Sequence, residues 1–139
     1  MDAARLAGEC AGPLTSTLLV LSSAAASSRA QEALGASAQR LGHPLPPAFA
    51  VVGGMGPDEL RLLVCERDPW SVVAIDGPAA ALLGEAFLPQ GSALAPDCPV
   101  EECGYTLVAV PGFEECFDSP ELKRRAWERL KAAAHPPAL

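Results

Sequence analysis

The sequence is poor in aromatic residues and has no apolar run long enough to cross a membrane. Only 5% of its 139 residues are aromatic although 50% are hydrophobic, which favours close packing of helices on a sheet. The segment most similar to an export signal has large apolar residues in succession only over Leu18–Leu21, and Glu9 precedes it. We therefore expect an internal strand there, no membrane segment and a cytoplasmic protein.

Basic charge is also scarce. The chain carries 10 Lys and Arg residues against 17 Asp and Glu residues, a formal net charge of −7. Because nucleic-acid affinity depends largely on neutralising phosphates, this balance argues against a general attraction to polyanions. The partner stays unidentified. Nucleic acid bound through a local basic patch and another protein are the two classes left open.

The chain lacks a Cys-x-x-Cys pair. Its five cysteines are odd in number, and without an export signal they do not predict a disulfide framework. Cys98, Cys103 and Cys116 form a tighter group that could offer thiolates to a metal ion. Their spacing is loose, however, and His43 and His135 are distant in the sequence. We expect free thiols and no cofactor, with these three cysteines as the alternative metal ligands.

Two common catalytic motifs are incomplete. The glycine-rich segment Gly53–Gly56 lacks the Lys-Ser/Thr pair and the full Gly-x-Gly-x-x-Gly pattern of phosphate-binding loops. Ser22 and Ser23 have neither a Gly-x-Ser-x-Gly elbow nor a histidine partner, so they do not predict a serine hydrolase. We interpret the glycines as a turn.

The stretch Trp70–Gly84 gives the clearest structural signal. Ser71–Ile75 is apolar without polar alternation, as in a strand of a parallel sheet that is covered on both faces. The turn Asp76-Gly77-Pro78 follows, and Pro78 suits the first turn of a helix because it has no hydrogen bond to lose there. The residues expected on the buried face of this helix are Ala79, Leu82, Leu83, Ala86 and Phe87.

Three further segments repeat this order of strand and helix. The expected strands are Thr17–Leu21, Ala48–Val52 and Tyr105–Val110, and the expected helices cover Ala30–Leu41, a segment from Pro57 to Asp68, and a segment that Ser119 caps. The pattern predicts an α/β fold, a three-layer α/β/α sandwich with a four-stranded, mainly parallel sheet. We expect one domain over residues 1–139.

The ends of the chain and two other segments carry weaker patterns. Residues 1–13 are expected to be a loose or partly helical lead-in, and residues 134–139 a tail that begins as His135-Pro136-Pro137 ends the last helix. Between Phe87 and Gly104 we expect a long loop with room for one short strand. The last helix is expected to bury Leu122, Ala126, Leu130 and Ala133.

Every strand of such a sheet ends at the same edge, and ligands of open α/β folds usually bind there. The residues expected at this edge are Ser22, Ser23, Gly53, Gly54, Asp76, Gly77, Pro111, Gly112 and Phe113. Asp76 is the candidate catalytic residue, since a buried acid there could act as a general base. Glu114, Glu115 and Asp118 follow the last strand. The alternative, which we favour, is that Asp76 caps a helix and the glutamates are solvated.

A basic group lies on the last helix. Lys123, Arg124 and Arg125 are candidate phosphate contacts. The alternative is an ordinary solvated helix face balanced by Glu121 and Glu128, which the acidic composition favours.

Three stretches of the sequence carry a resemblance to a known family. They are DELRLLVCERDPWSVVAIDGPAAALLG from Asp58, YTLVAVPG from Tyr105, and SPELKRRAWERLKAA from Ser119. Together they resemble the C-terminal half of the uracil-DNA glycosylase superfamily, especially its bacterial and archaeal iron-sulfur branch. The resemblance implies an α/β/α fold and descent from a scaffold for base excision.

The catalytic positions of that family are occupied by other residue types. The family has an acidic or amide residue after the first strand, where this chain has Ser22–Ala26, and a histidine after the last strand, where this chain has Val110. The early cysteine pair of the iron-sulfur branch is absent. The resemblance thus implies a non-catalytic ligand-binding, nucleic-acid-binding or interaction module. The alternatives are an enzyme of another class that uses Asp76, Glu114 and Glu115, and an active glycosylase with replaced catalytic residues.

Overall fold

The computed structural model of the chain describes residues 10–89, 94–96 and 98–134. The strands are β1 (Cys10–Ala11), β2 (Leu18–Ser22), β3 (Ala48–Val51), β4 (Ser71–Ala74), β5 (Val100–Glu102) and β6 (Tyr105–Ala109). The α-helices are α1 (Ser28–Arg40), α2 (Pro57–Arg67), α3 (Gly77–Phe87) and α4 (Pro120–Leu130), and two 3-10 helices cover Phe113–Asp118 and Lys131–Ala133.

The strands form one mixed sheet in the order β1-β3-β2-β4-β6-β5. The four central strands are parallel, with Leu18 paired to Ser71 and Ser71 paired to Thr106. The edge strands β1 and β5 are antiparallel to their neighbours. The predicted parallel strands are confirmed within one residue. The sheet has six strands where four were predicted: β1 was not foreseen, and β5 lies in the loop for which one short strand was allowed.

The two edge strands have two and three residues. Strands of this length have too few side chains to show periodicity, so backbone pairing with a neighbour decides whether they form. The part of the lead-in that the structure describes is therefore extended at Cys10–Ala11, where we predicted a loose or helical segment. Residues 1–9 and 135–139 lie outside the described residues, and so does the segment His135-Pro136-Pro137 that was predicted to end the last helix.

The parallel strands divide their side chains between two apolar cores. In β2, Leu19 and Leu21 pack with α2 and α3, whereas Leu18 and Val20 pack on the opposite face with α1 and α4. All four side chains are at most 1% exposed. Helices thus cover both faces of the sheet, which explains why the strand sequences are apolar without alternation.

The helices begin where capping chemistry predicts. Ser27, Asp76 and Ser119 cap α1, α3 and α4 through their side chains, and a proline lies in the first turn of α2, α3 and α4. These caps satisfy amide groups that have no partner inside the helix. The capping interpretation of Asp76 is therefore confirmed.

The buried face of α4 differs from the prediction at one position. Ala126, Leu130 and the following Ala133 are buried, but Leu122 is 40% exposed. Leu122 lies in the first turn of the helix, immediately after Pro120 and Glu121, and the packed part of the face starts one turn later. Helical spacing identified the side of the helix that faces the core, but not how far along the helix the core extends.

Candidate functional site

The loops that follow the four parallel strands form the strand-exit edge of the sheet. Their backbones continue the strand pairing beyond the regular strands: the Ile75 amide donates to Leu21 O at 3.0 Å, and the Val110 amide donates to Ala74 O at 2.7 Å. The Val52 amide donates to Ser22 O at 2.8 Å. The structure therefore brings the predicted segments of the edge together and fixes their spacing.

Asp76 joins two of these loops. Its Oδ1 accepts a hydrogen bond from the Ala79 amide at 2.9 Å. Its Oδ2 accepts from the Ser23 amide at 2.8 Å and from the Ser23 hydroxyl at 3.0 Å. A carboxylate at this position also interacts favourably with the positive end of the helix dipole. Asp76 thus anchors the exit of β2 to the first turn of α3.

Gly53 allows the loops after β2 and β3 to approach closely. Its amide donates to Ser23 O at 3.2 Å, and a Cβ added to Gly53 would lie only 2.2 Å from that same oxygen. The adjacent Gly54 has a φ of +86°, a region that side-chain-bearing residues rarely adopt. The turn needs both glycines, but for two different reasons.

Glu114 binds a different helix terminus. Its carboxylate accepts from the Ser27 amide at 2.8 Å and from the Ser27 hydroxyl at 2.6 Å, while Ser27 Oγ accepts from the Ala30 amide at 3.1 Å. This connects the 3-10 helix after β6 to the start of α1. Glu114 is therefore part of a capping arrangement, where we expected solvated charge, although the residue is exposed as predicted.

The three acids proposed for catalysis do not share hydrogen-bond partners. Asp76 is bonded to the α3 terminus and Glu114 to the α1 terminus. Glu115 is exposed. Its carboxylate lies beside Gly112: the Oε2 of Glu115 is 3.7 Å from the position that a Cβ on Gly112 would take. Asp118 lies 3.8 Å from the Arg29 guanidinium in an exposed ion pair, which is a weak interaction in water.

A groove of about 280 Å³ opens at the strand-exit edge on the side of α3. We call it the edge groove, and its lining residues are Ser23, Val52, Gly53, Gly54, Met55, Pro78, Ala81, Leu82 and Glu85. It includes the predicted Ser23, Gly53 and Gly54. Its α3 wall was not predicted: Leu82 was expected on the buried face of this helix, but it is only half-buried and lines the groove.

Other predicted edge residues do not line the edge groove. Ser22 is 4% exposed and Phe113 is 3% exposed, and Val110, the position matched to the histidine of the resembled family, is 1% exposed. Val110 and Phe113 belong to the core between the sheet, α1 and α4. Gly77 and Gly112 are exposed and Pro111 is half-buried, but none of the three lines the edge groove.

The cysteine group is divided between surface and core. Cys98 and Cys103 are exposed, whereas Cys116 is buried among the side chains between α1 and α4. Burial raises the pKa of the Cys116 thiol. Within residues 10–89, 94–96 and 98–134, no three His, Cys, Asp or Glu side chains are placed to share a metal ion.

The candidate phosphate contacts Lys123, Arg124 and Arg125 are all exposed on α4. Lys123 lines a groove between α1 and α4. The edge groove lies next to α3, so this basic group belongs to a separate surface.

The chain was also compared with known proteins. Neither the protein-family models nor the curated proteins match it. None of the helices in the described ranges combines the length and apolar character needed to cross a bilayer.

Proposed function

We propose that this chain is a non-catalytic binding module, built on a scaffold related to the uracil-DNA glycosylases, that binds its ligand at the strand-exit edge. The observation that carries the proposal is the bonding of Asp76. The best-placed acid at the edge accepts three hydrogen bonds, from Ser23 and Ala79, and so fixes the loops in place. A role in holding the fold accounts for this acid without any chemistry.

Base excision sets two chemical requirements that support this proposal. A glycosylase has to position a nucleophilic water and stabilise the negative charge that develops on the departing base. The positions that the resemblance matches to these tasks hold Ser22–Ala26 and Val110. Val110 is 1% exposed, so a side chain at this position packs in the core and does not reach a ligand in the edge groove.

The edge groove suits binding of a small ligand. Its volume of about 280 Å³ is close to the lower limit, roughly 300 Å³, of small-molecule sites. Met55 and Leu82 offer half-buried apolar surface, and Glu85 contributes an exposed carboxylate. These properties favour a compact, partly apolar ligand that is neutral or positively charged where it meets Glu85.

An excision assay tests the proposal. Purified protein is incubated with single-stranded and duplex oligonucleotides that contain one uracil, and abasic sites are then cleaved with alkali. We expect no strand scission under conditions in which a known active uracil-DNA glycosylase cleaves both substrates. Scission above the protein-free control would reject the non-catalytic assignment in favour of a glycosylase with replaced catalytic residues.

A further inference from the structure

A second groove, which we call the helix groove, lies between α1, the 3-10 helix Phe113–Asp118 and α4. Its volume is about 290 Å³. Its lining residues are Ala33, Ser37, Arg40, Phe113, Cys116, Phe117, Lys123, Ala126, Trp127 and Leu130. It belongs to the sheet face covered by α1 and α4, whereas the edge groove lies against α3.

The base of the helix groove is apolar. Phe113, Ala126 and Leu130 are each at most 6% exposed, and Cys116 is 4% exposed. Because burial raises the pKa of Cys116, its thiol stays protonated at neutral pH and behaves as a small hydrophobic group. A ligand that reaches this surface therefore needs an apolar body.

The walls of the helix groove are aromatic. Phe117 and Trp127 are half-buried, so each ring keeps some surface accessible. The Phe113 and Phe117 rings meet edge to face with centroids 5.5 Å apart, which holds Phe117 in place. The Arg29 guanidinium lies 4.7 Å from the centre of the Phe117 ring and the Arg40 guanidinium lies 4.3 Å from the centre of the Trp127 ring. Each guanidinium covers one ring face, so a planar ligand meets the part of each ring that remains uncovered.

Two cations at the groove have no acidic partner within the part of the chain that the structure describes. The Arg40 guanidinium lies 4.3 Å from the centre of the Trp127 ring, and this stacking leaves its in-plane N–H groups able to bind an anion. Lys123 is exposed on α4. Among the described residues, neither Arg40 nor Lys123 takes part in an ion pair. Unpaired cations are notable in a chain of net charge −7.

We propose that the helix groove binds a small aromatic organic anion, with its ring system on Phe117 and Trp127 and its carboxylate between Arg40 and Lys123. The groove volume is close to the lower limit, roughly 300 Å³, of small-molecule sites and suits one fused ring system better than a long chain. This site is additional to the edge groove and does not depend on the proposed function.

Naphthoate is a suitable probe because it combines a flat bicyclic ring with one carboxylate. The chain has two tryptophans, so an isotope-labelled Trp70→Phe protein has a single indole N–H signal, from Trp127. NMR titration of this signal measures binding at the groove itself. Naphthalenemethanol, which has the same ring but no charge, is the matched ligand. Circular dichroism establishes that each variant is folded.

We expect saturable shifts of the Trp127 signal with naphthoate and weaker binding of naphthalenemethanol. Arg40→Gln and Lys123→Gln should each weaken naphthoate binding roughly twofold to fivefold, as for the loss of one exposed ion pair. Arg124→Gln is the matched control, because Arg124 is exposed on the same helix but does not line the groove. It should leave the affinity unchanged.

Two results would overturn the proposal. One is equal affinity in the Arg40→Gln, Lys123→Gln and Arg124→Gln proteins, which would mean that any binding is nonspecific hydrophobic adsorption. The other is no saturable shift with naphthoate in folded protein. If an acidic peptide with an aromatic side chain then shifted the Trp127 signal, the groove would belong to a protein partner instead.

Discussion

Asp76 combines the chemistry of a possible base with the position of a helix cap, and its contacts favour the second role. Replacing it with alanine removes the cap of α3 and the bonds to Ser23 together. We expect Asp76→Ala to lower the free energy of unfolding by about 2 kcal/mol, measured by urea denaturation. Glu85→Ala, an exposed acid on the same helix, should change it by less than about 0.5 kcal/mol. Equal effects of the two substitutions would contradict the structural role.

The backbone around Gly53 leaves no room for a side chain. A Cβ at this residue would lie 2.2 Å from the backbone oxygen of Ser23, and a backbone atom cannot move aside as a flexible side chain can. Gly53→Ala should therefore destabilise the protein by about 2 kcal/mol or more. Gly35→Ala is the matched control in α1, where no atom lies within 4 Å of the added carbon, and it should stabilise by about 0.5 to 1 kcal/mol. A neutral Gly53→Ala substitution would mean that the two loops can separate easily.

The raised pKa of Tyr105 predicts how the stability of the protein changes at high pH. Burial, together with the neighbouring Cys65 and Asp68, raises the pKa of Tyr105 to about 12, and its hydroxyl donates to Asp68 Oδ1 at 3.3 Å. In the unfolded chain the phenol ionises near pH 10. The folded state therefore holds the proton more tightly, so stability is unaffected below about pH 10 and falls between about pH 10 and pH 12.

The chain has one tyrosine, so phenolate absorbance reports Tyr105 alone. In folded protein the absorbance should rise about two pH units later than in urea-unfolded protein. The Tyr105→Phe variant has no phenol to ionise, so the contribution of Tyr105 to the fall in stability between about pH 10 and pH 12 should be absent. Ionisation near pH 10 while circular dichroism remains native would disprove the shift.

At the scale of elements, Ser27 and Glu114 join α1 to the 3-10 helix after β6 across 87 residues of sequence. A double-mutant cycle of Ser27→Ala and Glu114→Ala should give a coupling energy of about 0.5 to 1.5 kcal/mol. The pair Ser27→Ala and Glu115→Ala should be additive, since the hydrogen bonds of Ser27 go to Glu114. Additive behaviour of the first pair would show that the contact contributes little in solution.

The main elements could be predicted because their signals are local. Four uninterrupted apolar runs identified the parallel strands, and Ser119 with Pro120 identified the start of α4. Strand β1 was not predicted, and for β5 the sequence only left room for one short strand between Phe87 and Gly104, since pairing with β3 and β6 determines both strands. Leu122 was misplaced for a related reason: periodicity gives a direction around the helix axis, but tertiary contacts decide which turns are covered.

At the scale of the whole molecule, the location of the candidate site was predictable and its composition was not. A parallel sheet directs its loops to one edge, so Ser23, Gly53 and Gly54 could be assigned there. The wall formed by Leu82 and Glu85 depends on how α3 packs against the loop after β3. The Asp76–Ser23 contact spans 53 residues, and no local pattern predicts it.

The chain uses two acids at its strand exits, Asp76 and Glu114, to hold loops and helix termini together. The most direct measurement compares excision by wild-type protein and by folded Asp76→Asn, with protein in excess over a uracil-containing single strand so that even one slow turnover is seen. We predict no scission by either protein. Scission by the wild type that is lost in Asp76→Asn would contradict the proposal and assign the chemistry to Asp76.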